Sequence, residues 1–170
     1  MLHARDRKTG GERRHRRHRR LDRVVQSFHA AADPEFFRVD TEEVELQAFF
    51  GTLVSSEESV IFLAECEGRA AGYVWFEIQD RAETPFTRPM KRMNVHHLVV
   101  SEDTRRRGVG SALMDAAKAR AVSRDVREII LNTWFFNDNA QAFFRTAGFE
   151  PFSIAMRRRL EPVHFCDAGV

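Results

Sequence analysis

The sequence predicts an α/β fold of the mixed α+β kind, a sheet flanked by helices, and three observations predict it. Two stripes of helical period, within 21–32 and 46–53, come first. Two apolar runs, 60–66 and 70–78, then flank Glu67-Gly68, and from 93 onward strand-like and helix-like segments alternate. The 170 residues, 43% hydrophobic and 31% charged, suffice for one soluble core and leave no room for two.

Each element follows from local chemistry. Leu21, Val24, Val25, Phe28 and Ala32 share one helix face, and Asp33-Pro34 ends that helix, because the residue before a proline is driven out of helical conformation. Leu46, Phe49, Phe50 and Leu53 form the second stripe, with Asp40 or Thr41 as its cap and Glu42 and Glu43 in the favourable first turn. Glu67-Gly68 reads as a tight hairpin turn. Residues 80–89, with Pro85 and Pro89, cannot pair as a central strand and read as a loop long enough to overhang a site. A strand over 93–100, a helix over 109–122, a strand over 127–136 and a helix over 138–147 follow, the last stopped by Gly148 at C′. Residues 149–160 have the pattern of a final amphipathic strand.

Charge divides the chain. Residues 1–20 hold nine Arg and Lys against Asp6 and Glu12, a net +7; the whole chain carries +2, so the other 150 residues carry −5. The tract has too few apolar groups to offset its ordering entropy and reads as a mobile basic tail before a domain over 21–160, with 161–170 as a short C-terminal tail. Nucleic acid could bind only through residues 1–20, with affinity falling steeply in salt; a plain solvated extension is the simpler reading. No segment has the roughly 18–20 apolar residues of a membrane span, and no secretory h-region opens the chain. Cys66 and Cys166 lie far apart without metal-ligand spacing. A cytoplasmic protein with neither metal nor membrane anchor is expected.

The informative segment runs from Val95-His96-His97-Leu98-Val99-Val100 through Arg105-Arg106-Arg107-Gly108-Val109-Gly110-Ser111. A strand feeding a glycine-bearing turn at a helix start lines up unpaired N–H groups, reinforced by the helix dipole, and so forms an anion cradle. The glycines admit close approach of a phosphate, and the arginines add charge. The turn lacks the lysine of a Walker A loop, and Leu113 stands where a dinucleotide fingerprint needs its third glycine.

Arg105-x-x-Gly108-x-Gly110 after Val99-Val100 resembles the acyl-CoA loop of the GCN5-related N-acetyltransferase (GNAT) superfamily. Asn137-x-x-Ala140-x-x-Phe143-Phe144-x-x-x-Gly148-Phe149 resembles that family's second signature, and both stand in the expected order. The resemblance implies a mixed, mostly antiparallel sheet in which two parallel strands, here 93–100 and 127–134, splay apart around the pantetheine of acetyl-CoA. It implies that the Leu98 N–H meets the thioester carbonyl, where donors to a developing oxyanion act most strongly. Val99 and Val100 then lie along pantetheine, and Arg105, Arg106, Arg107, Gly108, Val109, Gly110 and Ser111 form the pyrophosphate loop. Asn137 is expected either to bond the pantetheine arm or simply to cap its helix.

The implied reaction is N-acetyl transfer from acetyl-CoA to a primary amine, on a small molecule or a peptide, by direct attack in a ternary complex. A neutral amine is required, so a base must remove its proton. His96 is the candidate: strand alternation puts Asn94, His96 and Leu98 on one face, with His97 turned the other way and structural. Glu77 on the neighbouring strand is the second candidate, as base or amine anchor. Phe36, Phe37, Phe86, Glu35 and Glu83 suit a cationic amine with an apolar part. Two departures stand out. Phe144 occupies the position of a family tyrosine that protonates the leaving thiolate, which phenylalanine cannot do, and 13–20 offers no alternation for the family's opening strand. A non-catalytic acyl-CoA sensor and a tail-dependent nucleic-acid binder are the alternatives, and a homodimer is left open because dimers are common in the family.

Overall fold

The computed structural model describes residues 3–6, 26–38, 41–55 and 58–160. Leu21, Val24, Val25, Asp40, most of the basic tract and the tail from 161, with Cys166, therefore lie outside the described residues. The chain divides into two compact units, Met1–Phe136 and Asn137–Val170.

The first unit is built on a five-stranded sheet in sequence order: β1 (His3–Asp6), β2 (Ser59–Cys66), β3 (Arg69–Arg81), β4 (Met90–Val100) and β5 (Glu128–Leu131). All neighbours are antiparallel except β4 and β5, which run parallel. This is the expected mixed, mostly antiparallel sheet. The β2–β3 turn is the tight one expected, with Glu67 at φ 51° and Gly68 at φ 73°, the two left-handed conformations that match the twist of a hairpin.

Helices α1 (described over 26–32), α2 (Glu43–Ser55) and α3 (Val109–Ser123) belong to this unit. Phe50 of α2 is buried with Ile61, Leu63, Tyr73, Trp75 and Val99, and Leu46 and Leu53 pack against that cluster, so one sheet face takes the predicted α2 stripe. The opposite face receives α3 through Val109, Leu113, Met114, Ala117 and Ala121. Gly72 permits the close approach: a Cβ there would meet Val109 and Leu113.

Five expectations change. First, the opening strand exists: His3–Asp6 pairs with β2, Arg5 opposite Leu63, because a strand at an edge needs only main-chain partners and not apolar alternation. The expectation of an unstructured 1–20 fails at these four residues. Second, 80–89 is no long loop. β3 runs to Arg81, β4 begins at Met90, and Thr84 pairs with Thr87 across Pro85-Phe86, since a proline at a hairpin tip need not donate to a ladder. Third, α1 buries Ala30 and Asp33, with Gln26 and His29 half-buried, while Phe28 and Ala32 are exposed. Its inward face is the 26, 29, 30, 33 stripe, which carries polar groups that an apolar count passes over. Fourth, β5 covers four residues rather than 127–136. Fifth, 149–160 forms no strand, because alternation supplies a pattern but not an adjacent edge.

The second unit contains α4 (Asp138–Thr146) and has no buried residue in that helix, so it adds no core. Asn137 caps α4, its side chain accepting from the Ala140 N–H at 3.1 Å. At the other end Gly148, φ 88°, stands at the predicted C′ position. Its N–H donates to Arg145 O and that of Phe149 to Phe144 O, and the rings of Phe144 and Phe149 meet at 5.7 Å, a complete Schellman closure.

Candidate active site

A single irregularity in β4 organises the candidate catalytic groups. Trp75 lies opposite His97 but Phe76 lies opposite Val95, so β4 carries one extra residue, His96, as a β-bulge. The bulge resets the side-chain alternation. His97 is on the face of its partner Trp75, and the His96 ring stacks on Trp75 as well, at 4.3 Å and 20°. His97 meets the same indole edge-on at 5.0 Å. The expectation that His97 points away from His96 is therefore wrong, and so is the placing of Leu98 beside His96: Leu98 pairs with Val74 on the α3 face.

Around the bulge the polar groups converge. His96 Nε2 lies 3.1 Å from Glu77 Oε2 and 3.4 Å from Asn94 Nδ2. The His96 and Glu77 side chains are 27% and 30% exposed, enough for a substrate to reach them. With Glu77 on Nε2–H, the imidazole presents Nδ1 as a proton acceptor, and the carboxylate offsets the charge formed when it is used. His97 is different. Its Nδ1 shares a hydrogen bond with the buried Tyr73 hydroxyl at 3.0 Å. Burial, then the charges of His96 and His29, lower its pKa to about 4, so it is neutral at neutral pH.

Beside this cluster the sheet opens. β4 and β5 pair from Arg92 with Glu128 only as far as Val95 with Leu131, yet β4 continues to Val100. The Ser101 N–H donates to Ala71 O at 2.9 Å, which sets the phase of the antiparallel ladder. Main-chain groups of Val99 then turn to β3, and those of Leu98 and Val100 turn to the edge that β5 has left. Val99 itself is buried, a backing residue.

The strand leads directly into the anion cradle. A short 3-10 turn, Glu102–Thr104, is pinned by the Thr104 hydroxyl, which donates to Ala71 O at 3.0 Å. Arg106 (φ 59°) and Gly108 (φ 81°) are left-handed, a conformation uncommon for an arginine and one that turns successive N–H groups to one side. Gly108 is the N-cap of α3 and supplies no side-chain cap, and the first intrahelical bond is Ala112 N–H to Gly108 O. The amides of Gly108, Val109, Gly110 and Ser111 thus precede the first bond of the α3 ladder. The Arg105 guanidinium instead lies 3.6 Å from Glu102.

Two hairpin candidates are not brought to this cluster. Glu83 and Phe86 sit at the hairpin tip, about 13 Å or more of strand beyond the Glu77–Asn94 pair. Asn137 and Phe144 belong to the second unit. Composition and motif reading missed His29 and Trp134. Trp134 makes ring contacts with Phe36 at 5.3 Å and Phe37 at 4.9 Å, and His29 lies 4.9 Å from Phe37 and 6.5 Å from Trp134. The helical phase of α1 was the signal for His29; nothing local marks Trp134.

Sequence comparison gives the family of the chain. The sequence model of the Acetyltransferase (GNAT) family matches residues 24–149, and the chain belongs to that family. An uncharacterised N-acetyltransferase of Methanocaldococcus jannaschii is 28% identical over 107 residues, 60% of this chain and 44% of that protein. The N-acetyltransferase family 8 member 3 of Rattus norvegicus is 29% identical over 58% of this chain and 42% of its own length. The match thus spans less than half the length of these two relatives. Among solved structures, a mutant of a Bacillus halodurans protein superposes with a TM-score of 0.85 at 21% identity, covering 95% of this chain and 99% of that one. The aminoglycoside N-acetyltransferase AAC(6')-Iy in complex with CoA gives 0.66 at 17% identity, with 94% and 95% covered. At those identities the structures share the fold. No helix among the described residues is long and apolar enough to cross a membrane.

Proposed function

We propose that this chain is an acetyl-CoA-dependent N-acetyltransferase that moves the acetyl group to a primary amine by direct attack in a ternary complex. The observation that carries the reading is the continuity of two donor rows: the outward main-chain edge of β4 at Leu98 and Val100 runs into the amides that open α3. A phosphate-bearing thioester fits that track. Pantetheine would lie along the edge left by β5, the diphosphate would lie on 106–111, and the Leu98 N–H would face the thioester oxygen, where hydrogen-bond donation is greatest for the tetrahedral intermediate.

In this reading His96 accepts the amine proton at Nδ1 while Glu77 holds the ring through Nε2. The nitrogen lone pair then attacks the thioester carbon and the C–N bond forms; collapse of the intermediate breaks the C–S bond and expels the CoA thiolate, while the second proton lost by nitrogen passes through water to that thiolate. Its ordinary pKa near 8.5 makes a thiol a competent leaving group, so water can protonate it where Phe144 cannot. The Asn137 side-chain oxygen accepts from the Ala140 N–H, which is the cap of α4.

The experiment is titration calorimetry with acetyl-CoA together with free-thiol release in the presence of primary amines. Saturable binding and amine-dependent thiol release are expected. Binding without release for any amine would make the chain a sensor of acyl-CoA, and absence of binding would end the acyl-donor reading.

A further inference from the structure

The proposed chemistry leaves one feature unused: a cluster of aromatic rings on α1, the turn after it and the segment following β5. Phe36 is 60% and Trp134 38% exposed, although Phe36, Phe37 and Trp134 make mutual edge-to-face contacts at 4.9–5.3 Å. Rings ordered against one another and yet open on one side leave apolar area uncovered. The cluster also includes the segment that follows the end of the β4–β5 pairing. Trp134 comes three residues after Leu131, the last β5 residue paired with β4, in the segment where β5 has parted from β4. His29 lies 4.9 Å from Phe37 and 6.5 Å from Trp134, ring to ring.

We infer that Phe36, Phe37 and Trp134, with His29, form the wall that binds the acceptor, and that the acceptor is a primary amine carried on an aromatic ring. This rests on the N-acetyltransferase reading and specifies its substrate. An aromatic body completes the edge-to-face set already present, and the ring faces attract an ammonium as it approaches, before Nδ1 of His96 takes its proton. Glu77, the carboxylate at the bulge, is already engaged by His96.

The test compares 2-phenylethylamine, n-propylamine and spermidine as acceptors. kcat/KM for 2-phenylethylamine should exceed that for n-propylamine by about tenfold or more. Trp134→Ala should remove most of that ratio, and so should Phe36→Ala, which deletes an exposed ring and leaves the core intact. Equal use of the two monoamines, a preference for spermidine, or folded variants that retain the ratio would overturn the inference. Thiol release with n-propylamine alone would uphold acetyl transfer while rejecting the aromatic acceptor. Calorimetric binding of 2-phenylethylamine to the CoA complex reads the wall without turnover: heat that is lost in Trp134→Ala supports it, and no heat in the unaltered protein rejects it.

Discussion

Gly72→Ala probes the junction on which both donor rows depend. An added Cβ would stand 2.5 Å from the carbonyl oxygen of Val99 and 3.2 and 3.3 Å from Val109 Cγ1 and Leu113 Cδ1. Carbon–oxygen contacts normally begin at about 3.3 Å, so the two backbones must part by roughly 0.8 Å. The side chains can turn aside. Val99 O cannot, because it is main chain within the β3–β4 ladder, and the strain falls on the sheet. Overpacking costs about 1–3 kcal/mol, and a backbone obstacle belongs at the upper end. In a chain of this size that is roughly 6–12 °C of Tm. Gly72 lies opposite Val100 and against Val109, so the same shift tilts the β4 edge and the start of α3, and CoA affinity should fall with stability. Circular-dichroism melts and a CoA titration measure both. Gly51→Ala, whose Cβ meets nothing within 4 Å, is the control and should melt at or above the unaltered protein. A Gly72→Ala protein that melts within about 2 °C of the parent with undiminished CoA binding would refute the register of β3 against β4 and the seating of α3.

Four further outcomes follow from the same geometry. His96→Ala should lower kcat at neutral pH by about 10²–10⁴-fold and leave CoA affinity intact, with Glu77→Gln intermediate; an unaltered pH–rate profile in His96→Ala would remove it as the base. His97 should make the fold acid-sensitive: its pKa is lowered from 6.5 to about 4, so the unfolded chain takes up a proton in that interval that the folded chain refuses. The stabilisation is complete above the unfolded value and is lost as pH falls through that window, roughly 3 kcal/mol in all, and His97→Gln should flatten the dependence of urea midpoint on pH. Phe144→Tyr should preserve or raise turnover, since the ring that closes the α4 Schellman motif is retained; a large loss in a folded, CoA-binding variant counts against the placement of residue 144 by family resemblance. Deleting residues 1–20 should lower Tm by removing β1, whereas replacing Arg13, Arg14, Arg16, Arg17, Arg19 and Arg20 with Gln keeps β1 and so asks directly whether the basic tract binds nucleic acid.

Much was legible in the chain itself. Hairpin turns and helix ends are decided within a few residues, by backbone conformations that Gly68, Gly148 and the Asp33-Pro34 pair make cheap or forbidden, and these stand as read. The turn that opens α3 was legible for the same reason: Arg105 to Ser111 are consecutive, and the left-handed Gly108 at the helix start can be read from the chain itself.

Tertiary structure decided what depends on a partner strand or a rotated face. Whether 3–6, 80–81 and 149–160 become strand turns on finding an adjacent edge, and only the first two do. The bulge at His96 is invisible to alternation because it is a mismatch in length between β3 and β4, a property of two strands together, and it alone brings both imidazoles to Trp75. The meeting of Trp134 with Phe36 and Phe37, about a hundred residues away in sequence, is likewise a contact that chain order cannot encode locally. Sequence alone marks a run of consecutive amides at the start of α3, since that feature is local; which side chains meet around His96 and around Trp134 is set by long-range packing and was decided only by the fold.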